Sequence, residues 1–167
     1  FDCTYYQDID SINLGKNANN ERVDNRNAPA FSNDELVSKG VKQKWGIKED
    51  FNKKIDQFKP DIILCSVLES TYYLAMMLLE SIPKEKRKYK TLFGGVFATF
   101  ASEKIIKSNL VDYICRGEGE EAIQEFCKKL CNGERIDNVK NFTVKSDGKI
   151  FRNSLRAAMN IDSVPIP

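Results

Sequence analysis

Two short glycine segments, each placed directly after a predicted buried strand, constrain the fold of this chain more than any other feature. Thr91-Leu92-Phe93 leads into Gly94-Gly95, and the run 111–116 leads into Gly117-Glu118-Gly119. Glycine has no Cβ, so it allows sharp turns and close approach of the backbone to a ligand. In open α/β sheets, ligands bind beyond the carboxyl ends of the strands, where both segments fall. The two turns therefore predict a binding domain for a wide, flat ligand.

Strand-like and helix-like segments alternate from Lys48 onward. Phe51, Ile55 and Phe58 recur at helical spacing and predict a surface helix. Lys59-Pro60 ends it, because the residue before proline disfavours the helical region. The continuous apolar run 61–67 then predicts a strand that is buried on both faces.

Further elements of both kinds follow that strand. The segment 69–82 is apolar almost all round and predicts a largely buried helix. The remaining predicted elements are a strand at 90–94, a short helix near 102–108, a strand at 111–115 and a helix at 119–131. This alternation predicts an α/β fold with a doubly wound parallel sheet and right-handed crossovers.

The C-terminal part of the chain has a different pattern. The β-like runs 141–145 and 149–153 flank Ser146-Asp147-Gly148, which predicts a hairpin. We therefore expect an α/β domain over 1–134 and a hairpin with a linker over 135–167. Within the first domain, the Asn-rich segment 13–30 has few large apolar groups and predicts a mobile loop.

Composition excludes several classes of function. The 26 basic and 24 acidic residues are nearly balanced, so no charge footprint for nucleic acid is present. No apolar run reaches the roughly 18 residues of a membrane span. The chain has no histidine, which excludes a histidine base and a histidine-ligated metal. It begins at Phe1 as if inside a strand and without a signal peptide, and we expect that it is a fragment truncated at its N-terminus.

The five cysteines show no Cys-x-x-Cys spacing typical of a metal site. Cys65 and Cys115 fall in predicted buried strands, and Cys127 and Cys131 fall on the apolar stripe of the last helix. Free cysteine packs as a small hydrophobic residue, so core packing is expected for all four. Reduced cysteines indicate a cytoplasmic protein.

Each candidate site segment also has a purely structural interpretation. Ser66 at a strand end can hydrogen-bond a ligand or cap the next helix, and the sequence leaves both open. Gly94-Gly95, followed by the small Ala98 and Thr99, favours ligand clearance over a simple turn. The acids in 117–120 are favoured by the helix dipole and argue against a phosphate cradle. A neutral, hydrogen-bonding ligand is therefore expected.

Together, Ser66-Val67-Leu68, the segment 94–99 and the segment 111–120 resemble the cobalamin-binding domain of cobalamin-dependent radical SAM enzymes. The resemblance runs over 59–133 and more loosely to the tail. It implies a flavodoxin-like Rossmann domain that holds cobalamin at the carboxyl edge of the sheet, with the nucleotide tail against Ser66, Leu68 and the glycine turns. The implied cofactor-binding residues are Ser66, Leu68, Glu69, Gly94, Gly95, Val96, Phe97, Ala98, Thr99, Gly117, Glu118 and Gly119, with no catalytic or metal-ligating residue.

Two departures from the wider cobalamin-binding pattern refine this expectation. Without histidine, the chain cannot supply the cobalt ligand of the Asp-x-His-x-x-Gly motif, which favours the radical SAM subgroup. The family's first strand should precede Phe1. The Cys-x-x-x-Cys-x-x-Cys set is also missing, so the iron–sulfur cluster, S-adenosylmethionine and the catalytic barrel are expected elsewhere in the same polypeptide.

Three functions remain open at this point. The first is a cobalamin module of a radical SAM enzyme that transfers methyl groups. The second is a degenerate domain of the same fold that acts as a scaffold or docking domain without cofactor. The third, a receiver-like signalling domain, is weak because the strand ends carry Ser66, Gly94 and Gly117 where a receiver needs Asp and Lys.

Overall fold

A computed structural model of the protein describes residues 44–160, which fall into two compact units. One unit contains residues 44–60 and 69–86, and the other contains residues 61–68 and 87–160. The predicted mobile loop 13–30 and the end of the predicted linker, 161–167, lie outside the described residues.

The first unit consists of two helices and a short 3-10 turn. Helix α1 is Ile47–Phe58, helix α2 is Glu69–Ser81, and the turn is Lys84–Lys86. Helix α1 ends at Lys59, whose left-handed backbone (φ 48°) stops the helix where the sequence predicts. The Asn52 side-chain amide donates to Ser81 Oγ at 2.9 Å and so joins α1 to α2.

The second unit is built on one five-stranded sheet in the order β1-β2-β3-β4-β5. The strands are β1 (Ile62–Ser66), β2 (Lys90–Gly94), β3 (Tyr113–Cys115), β4 (Phe142–Ser146) and β5 (Lys149–Arg152). The first three run parallel, and β4 and β5 are antiparallel additions beside β3. The predicted α/β fold and hairpin are confirmed, and the hairpin continues the same sheet.

The hairpin turn has the backbone that its sequence predicts. Asp147 and Gly148 have φ values of 49° and 71°. Two successive left-handed residues match the right-handed twist of hairpin strands. Asp147 tolerates this conformation better than most residues, and Gly148 adopts it freely.

One face of the sheet packs against helix α5 (Glu120–Cys131). The ring of Phe126 in α5 stacks on Phe142 at 4.8 Å and meets Tyr113 edge-on at 5.0 Å. The buried cluster on this face is Leu92, Tyr113, Cys115, Ala122, Phe126, Val139, Phe142 and Val144. Phe93 and Ile114 point to the opposite face by strand alternation and are also fully buried.

The structure differs from the predictions for these elements in two details. The short helix predicted near 102–108 is present as α4 (Ser102–Ile105), but a further short helix, α3 (Val96–Phe100), precedes it and was not predicted. Strand β1 is not buried on both faces, since none of its five residues is buried. Leu64 in its middle is 52% exposed because it faces an open cleft.

The expected core packing of the cysteines is also partly wrong. Cys115 is buried and Cys65 is half-buried, but Cys127 and Cys131 are exposed. Helix α5 turns Phe126 towards the sheet, and the next position is rotated by about 100° around the helix axis. Cys127 therefore lies beyond the buried stripe.

Side chains connect the strands at the end of the sheet where the parallel strands β1, β2 and β3 begin. The Asp112 carboxylate accepts hydrogen bonds from Thr91 N at 2.9 Å and Lys90 Nζ at 3.2 Å. The Lys145 ammonium donates to Ser108 O at 2.7 Å, and its backbone N donates to Asp112 O at 2.9 Å. These bonds connect β2 and β4 to the segment just before β3, at the edge opposite the glycine turns.

Candidate binding cleft

A cleft of about 170 Å³ opens where β1, β2 and β3 end, on the sheet face that carries α5. Five of its lining residues belong to the predicted site: Ser66, Gly94, Gly95, Gly117 and Gly119. The fold therefore brings together the strand-end serine and both glycine turns, which are far apart in sequence. None of the described residues that line the cleft is charged.

The two adjacent glycines have different structural roles. Gly95 has φ 89°, and a Cβ there would lie 2.8 Å from Val67 O and 2.9 Å from Val67 N. A Cβ at Gly94 would meet only Cys115 O, at 4.0 Å. The backbone thus requires glycine at 95, whereas the missing side chain at 94 leaves space in the cleft.

The second glycine turn lies across the cleft and starts α5. Gly117 has φ 71°, a left-handed conformation that favours glycine. At Gly119, a Cβ would approach Ile123 Cδ1 to 3.0 Å, which leaves little room between the turn and the helix. The Gly119 carbonyl accepts the first bond of α5, from Ile123 N at 2.7 Å.

Thr99 joins the two glycine turns to each other. Its hydroxyl donates to Gly95 O at 3.0 Å and accepts a hydrogen bond from Gly117 N at 2.9 Å. This predicted site residue does not line the cleft, and the structure shows it as a support that sets the spacing of the turns.

The other predicted site residues lie around the cleft and do not line it. Leu68 and Val96 are exposed beyond the ends of β1 and β2, and Ala98 is buried. The half-buried Phe97 donates its backbone N–H to Val67 O at 3.2 Å. The remaining two are Glu118, in the exposed second turn, and Glu69, the first residue of α2 in the other unit.

Sequence reasoning missed the apolar part of the cleft, formed by Leu64, Leu92 and Ile123 with the thiols Cys65 and Cys115. Alternation along a strand is a signal that points to two of them. Leu64 lies two residues before Ser66, and Leu92 lies two residues before Gly94. Each leucine therefore shares a sheet face with a predicted site residue.

Burial keeps the two cleft cysteines protonated. Desolvation raises the pKa of the Cys65 thiol and of the Cys115 thiol, each to about 11. Both are therefore neutral thiols at neutral pH, and neither is poised as a nucleophile. The described residues of the cleft present a neutral surface of aliphatic carbon, sulfur and backbone, with the hydroxyl of Ser66.

This difference in burial predicts the pattern of thiol labelling in the folded protein. In a Cys3→Ser background at pH 8, iodoacetamide should modify Cys127 and Cys131 quickly and leave Cys65 and Cys115 largely unmodified. Mass spectrometry of tryptic peptides reads out each site, with the urea-unfolded protein as the control that labels all four. Equal labelling of all four in the folded state would contradict the described burial.

The same shifts predict a loss of stability at high pH. In the folded protein the pKa of each of these thiols is about 11, which is above the value of an exposed thiol. The contribution of these neutral, buried thiols to the free energy of unfolding is therefore complete below about pH 8.5. It is lost as the pH rises towards 11, because unfolding then exposes thiols that ionise.

Two further observations concern the described residues 44–160 as a whole. No group of three or more His, Cys, Asp and Glu side chains is arranged there to hold a metal ion. No helix in that part of the chain is long and apolar enough to cross a membrane. Among the lining residues of the cleft within 44–160, none is the Asp or Lys that a receiver domain needs.

Comparison with known protein families identifies a match over most of the chain. The family profile described as a B12 binding domain matches residues 7–127, which is most of the chain. The matched region contains Ser66 and both glycine turns. No curated protein was found to match the sequence.

Solved structures of similar fold include a cobalamin-dependent S-adenosylmethionine radical enzyme, OxsB. Its form with aqua-cobalamin and S-adenosylmethionine bound has a TM-score of 0.56 and 22% identity, and its form with aqua-cobalamin has 0.57 and 22%. Both comparisons cover 66% of this chain and 16% of OxsB. The apo form has a TM-score of 0.56 at 21% identity over 76% of this chain and 19% of OxsB. At this identity the likeness shows a shared fold.

Proposed function

Because this chain belongs to the B12-binding domain family, we propose that it is a cobalamin-binding module whose cleft holds the nucleotide tail of the cofactor. The observation that carries the proposal is the position of Gly94. Its missing side chain leaves open space in a cleft at the carboxyl edge of the sheet, and the backbone alone does not require glycine there. A bound group that must approach the strand end closely accounts for this glycine.

The residues of the cleft fit a flat, neutral group. Leu64, Leu92 and Ile123 would contact the faces of a ring, and the exposed Ser66 hydroxyl would hydrogen-bond a polar atom at its rim. Apolar walls with a few placed polar groups are typical of small-molecule sites. The turns at Gly95 and Gly117 would flank the tail at the spacing set by Thr99.

We further infer that the cobalt of the cofactor has no protein imidazole below it. The proposal rests on the sequence, since none of the 167 residues is histidine. When bound, cobalamin would supply a cobalt centre that carries a methyl group. The contribution of this chain would be binding and orientation, because the lining residues that the structure describes include no acid, base or activated nucleophile.

The larger context that we propose is a radical SAM enzyme that transfers methyl groups, with its catalytic barrel in the same polypeptide. OxsB, whose fold the chain shares over 16% of the OxsB length, supports this by its description as a cobalamin-dependent radical enzyme. In that context an iron–sulfur cluster and S-adenosylmethionine would bind outside this chain. A cytoplasmic location remains a prediction from cysteine usage.

A titration with hydroxocobalamin, followed by absorbance, tests the proposal on the chain and on a version extended upstream. We expect saturable binding with a shift to the spectrum of cobalamin that lacks a lower nitrogen ligand. Binding by the extended version alone would mean that upstream residues complete the site. If neither version binds, the cofactor proposal is wrong and the scaffold alternative gains support.

A further inference from the structure

The peptide between the glycines of the second turn is held by Asn141, a residue outside the cleft. The Asn141 Nδ2 donates to the carbonyl of Glu118 at 2.8 Å. That carbonyl lies between Gly117 and Gly119, which both line the cleft. Asn141 therefore holds the orientation of a peptide in this turn without lining the cleft itself.

Every polar group of Asn141 is used in the structure. Its backbone N donates to Ser154 O at 2.9 Å, and its carbonyl accepts from Arg116 N at 2.8 Å. Its Oδ1 accepts from Arg156 N at 2.6 Å. The residue is only 4% exposed and has φ 70°, a left-handed backbone that asparagine tolerates better than most side chains.

The bonds to Ser154 and Arg156 belong to a chain segment that docks beside α5. This docked segment, residues 154–159, has no regular secondary structure. The Arg156 guanidinium bonds to the Glu125 carboxylate of α5. The backbone N of Met159 donates to the Glu118 carboxylate at 2.9 Å. The docked segment thus reaches the second glycine turn directly through Glu118 and indirectly through Asn141.

We propose that Asn141 is a positioning residue that couples the second glycine turn of the cleft to the docked segment 154–159. The inference rests on the proposed cofactor function. It adds a connection between the cleft and the segment of the chain that follows the last strand of the sheet. A ligand against Gly117 and Gly119 favours one orientation of the turn peptide, which is the orientation that accepts the Asn141 bond. Coupling between two sites is reciprocal, so docking strengthens ligand binding and the ligand strengthens docking.

Two substitutions distinguish the two hydrogen bonds that the Asn141 side chain makes. Asn141→Gly keeps the left-handed backbone and both backbone bonds but loses both side-chain bonds. Asn141→Asp keeps an acceptor for Arg156 N but places a carboxylate against the Glu118 carbonyl. We expect both variants to bind hydroxocobalamin about tenfold more weakly, as expected for the loss of about one hydrogen bond. Their bound spectrum should be unchanged, because residue 141 does not line the cleft and supplies no ligand to the cobalt in the proposed arrangement.

Hydrogen exchange of the segment 154–159 supplies the second readout. Without ligand, exchange of the Arg156 amide should be faster in Asn141→Gly and close to wild type in Asn141→Asp. A residue that only maintained the fold would raise exchange in both variants. In the wild-type chain, cobalamin should slow exchange of the Arg156 and Met159 amides.

The outcomes separate this inference from the function on which it rests. No cobalamin binding by the wild-type chain or its upstream extension overturns both. Wild-type binding with unchanged affinity in both variants overturns the role of Asn141 alone. If a variant does not fold, the wild-type exchange experiment still decides, since cobalamin binding without slower exchange at Arg156 and Met159 overturns the coupling.

Discussion

Replacing Gly95 by alanine is expected to lower the free energy of unfolding by about 3 kcal/mol or more, through backbone strain and steric overlap. The new Cβ would lie 2.8 Å from Val67 O and 2.9 Å from Val67 N, and φ of 89° is costly for any side chain. Val67 cannot move away easily, because its N donates to Gly94 O at 2.9 Å and its O accepts from Phe97 N. Urea unfolding followed by circular dichroism measures the change.

Gly94→Ala is the matched control for this experiment. It adds the same methyl group one residue earlier, where the nearest atom is Cys115 O at 4.0 Å. We expect its free energy of unfolding to stay within about 0.5 kcal/mol of wild type, as is usual for a substitution without steric conflict. Equal destabilisation by the two variants would show that the adjacent glycines do not differ as described.

Gly94→Val is expected to weaken cobalamin binding by roughly 5- to 150-fold while the chain remains folded. The branched side chain would project into the cleft from the same sheet face as Leu92, into the space that the nucleotide tail would occupy. Overfilling a packed site costs about 1–3 kcal/mol, which corresponds to that range of affinity. A hydroxocobalamin titration measures the change, and circular dichroism checks the fold.

Comparing Gly94→Ala with Gly94→Val tests whether the loss of cobalamin affinity follows the size of the added side chain. Gly94→Ala should weaken binding less than Gly94→Val, because one methyl group occupies less of the cleft. If folded Gly94→Val binds cobalamin as tightly as wild type, the tail does not enter this cleft. Cofactor binding elsewhere on the chain would then have to be sought.

The sequence predicted the strands and the site edge well because both depend on local patterns. A continuous apolar run marked β1, strand-like segments before the two glycine turns marked β2 and β3, and Asp147-Gly148 marked the hairpin turn. Strand-end positions then placed Ser66 and both glycine turns at one edge, as parallel strands require. The wrong detail in β1 has a physical source, since an apolar residue that faces a cleft has the same pattern as one in a core.

Features that depend on contacts distant in sequence could not be predicted. The requirement for glycine at 95 comes from the backbone of Val67, which only the folded turn brings near. The exposure of Cys127 depends on the rotation of α5 on the sheet. The role of Asn141 depends on a docked segment that starts thirteen residues later and has no sequence periodicity.

The brace at the amino edge of the sheet has a consequence for how such a domain can evolve. Asp112, Lys90 and Lys145 secure the strands at the end opposite the cleft. Positions in the turns at the carboxyl edge that have room for a side chain, such as Gly94 and Val96, can therefore accept mutations that change ligand preference at little risk to folding. Gly95, Gly117 and Gly119 are exceptions, because a positive φ or a close neighbouring atom disfavours a side chain at each. Substitutions at the carboxyl edge can therefore change ligand specificity, while the contacts at the amino edge preserve the fold.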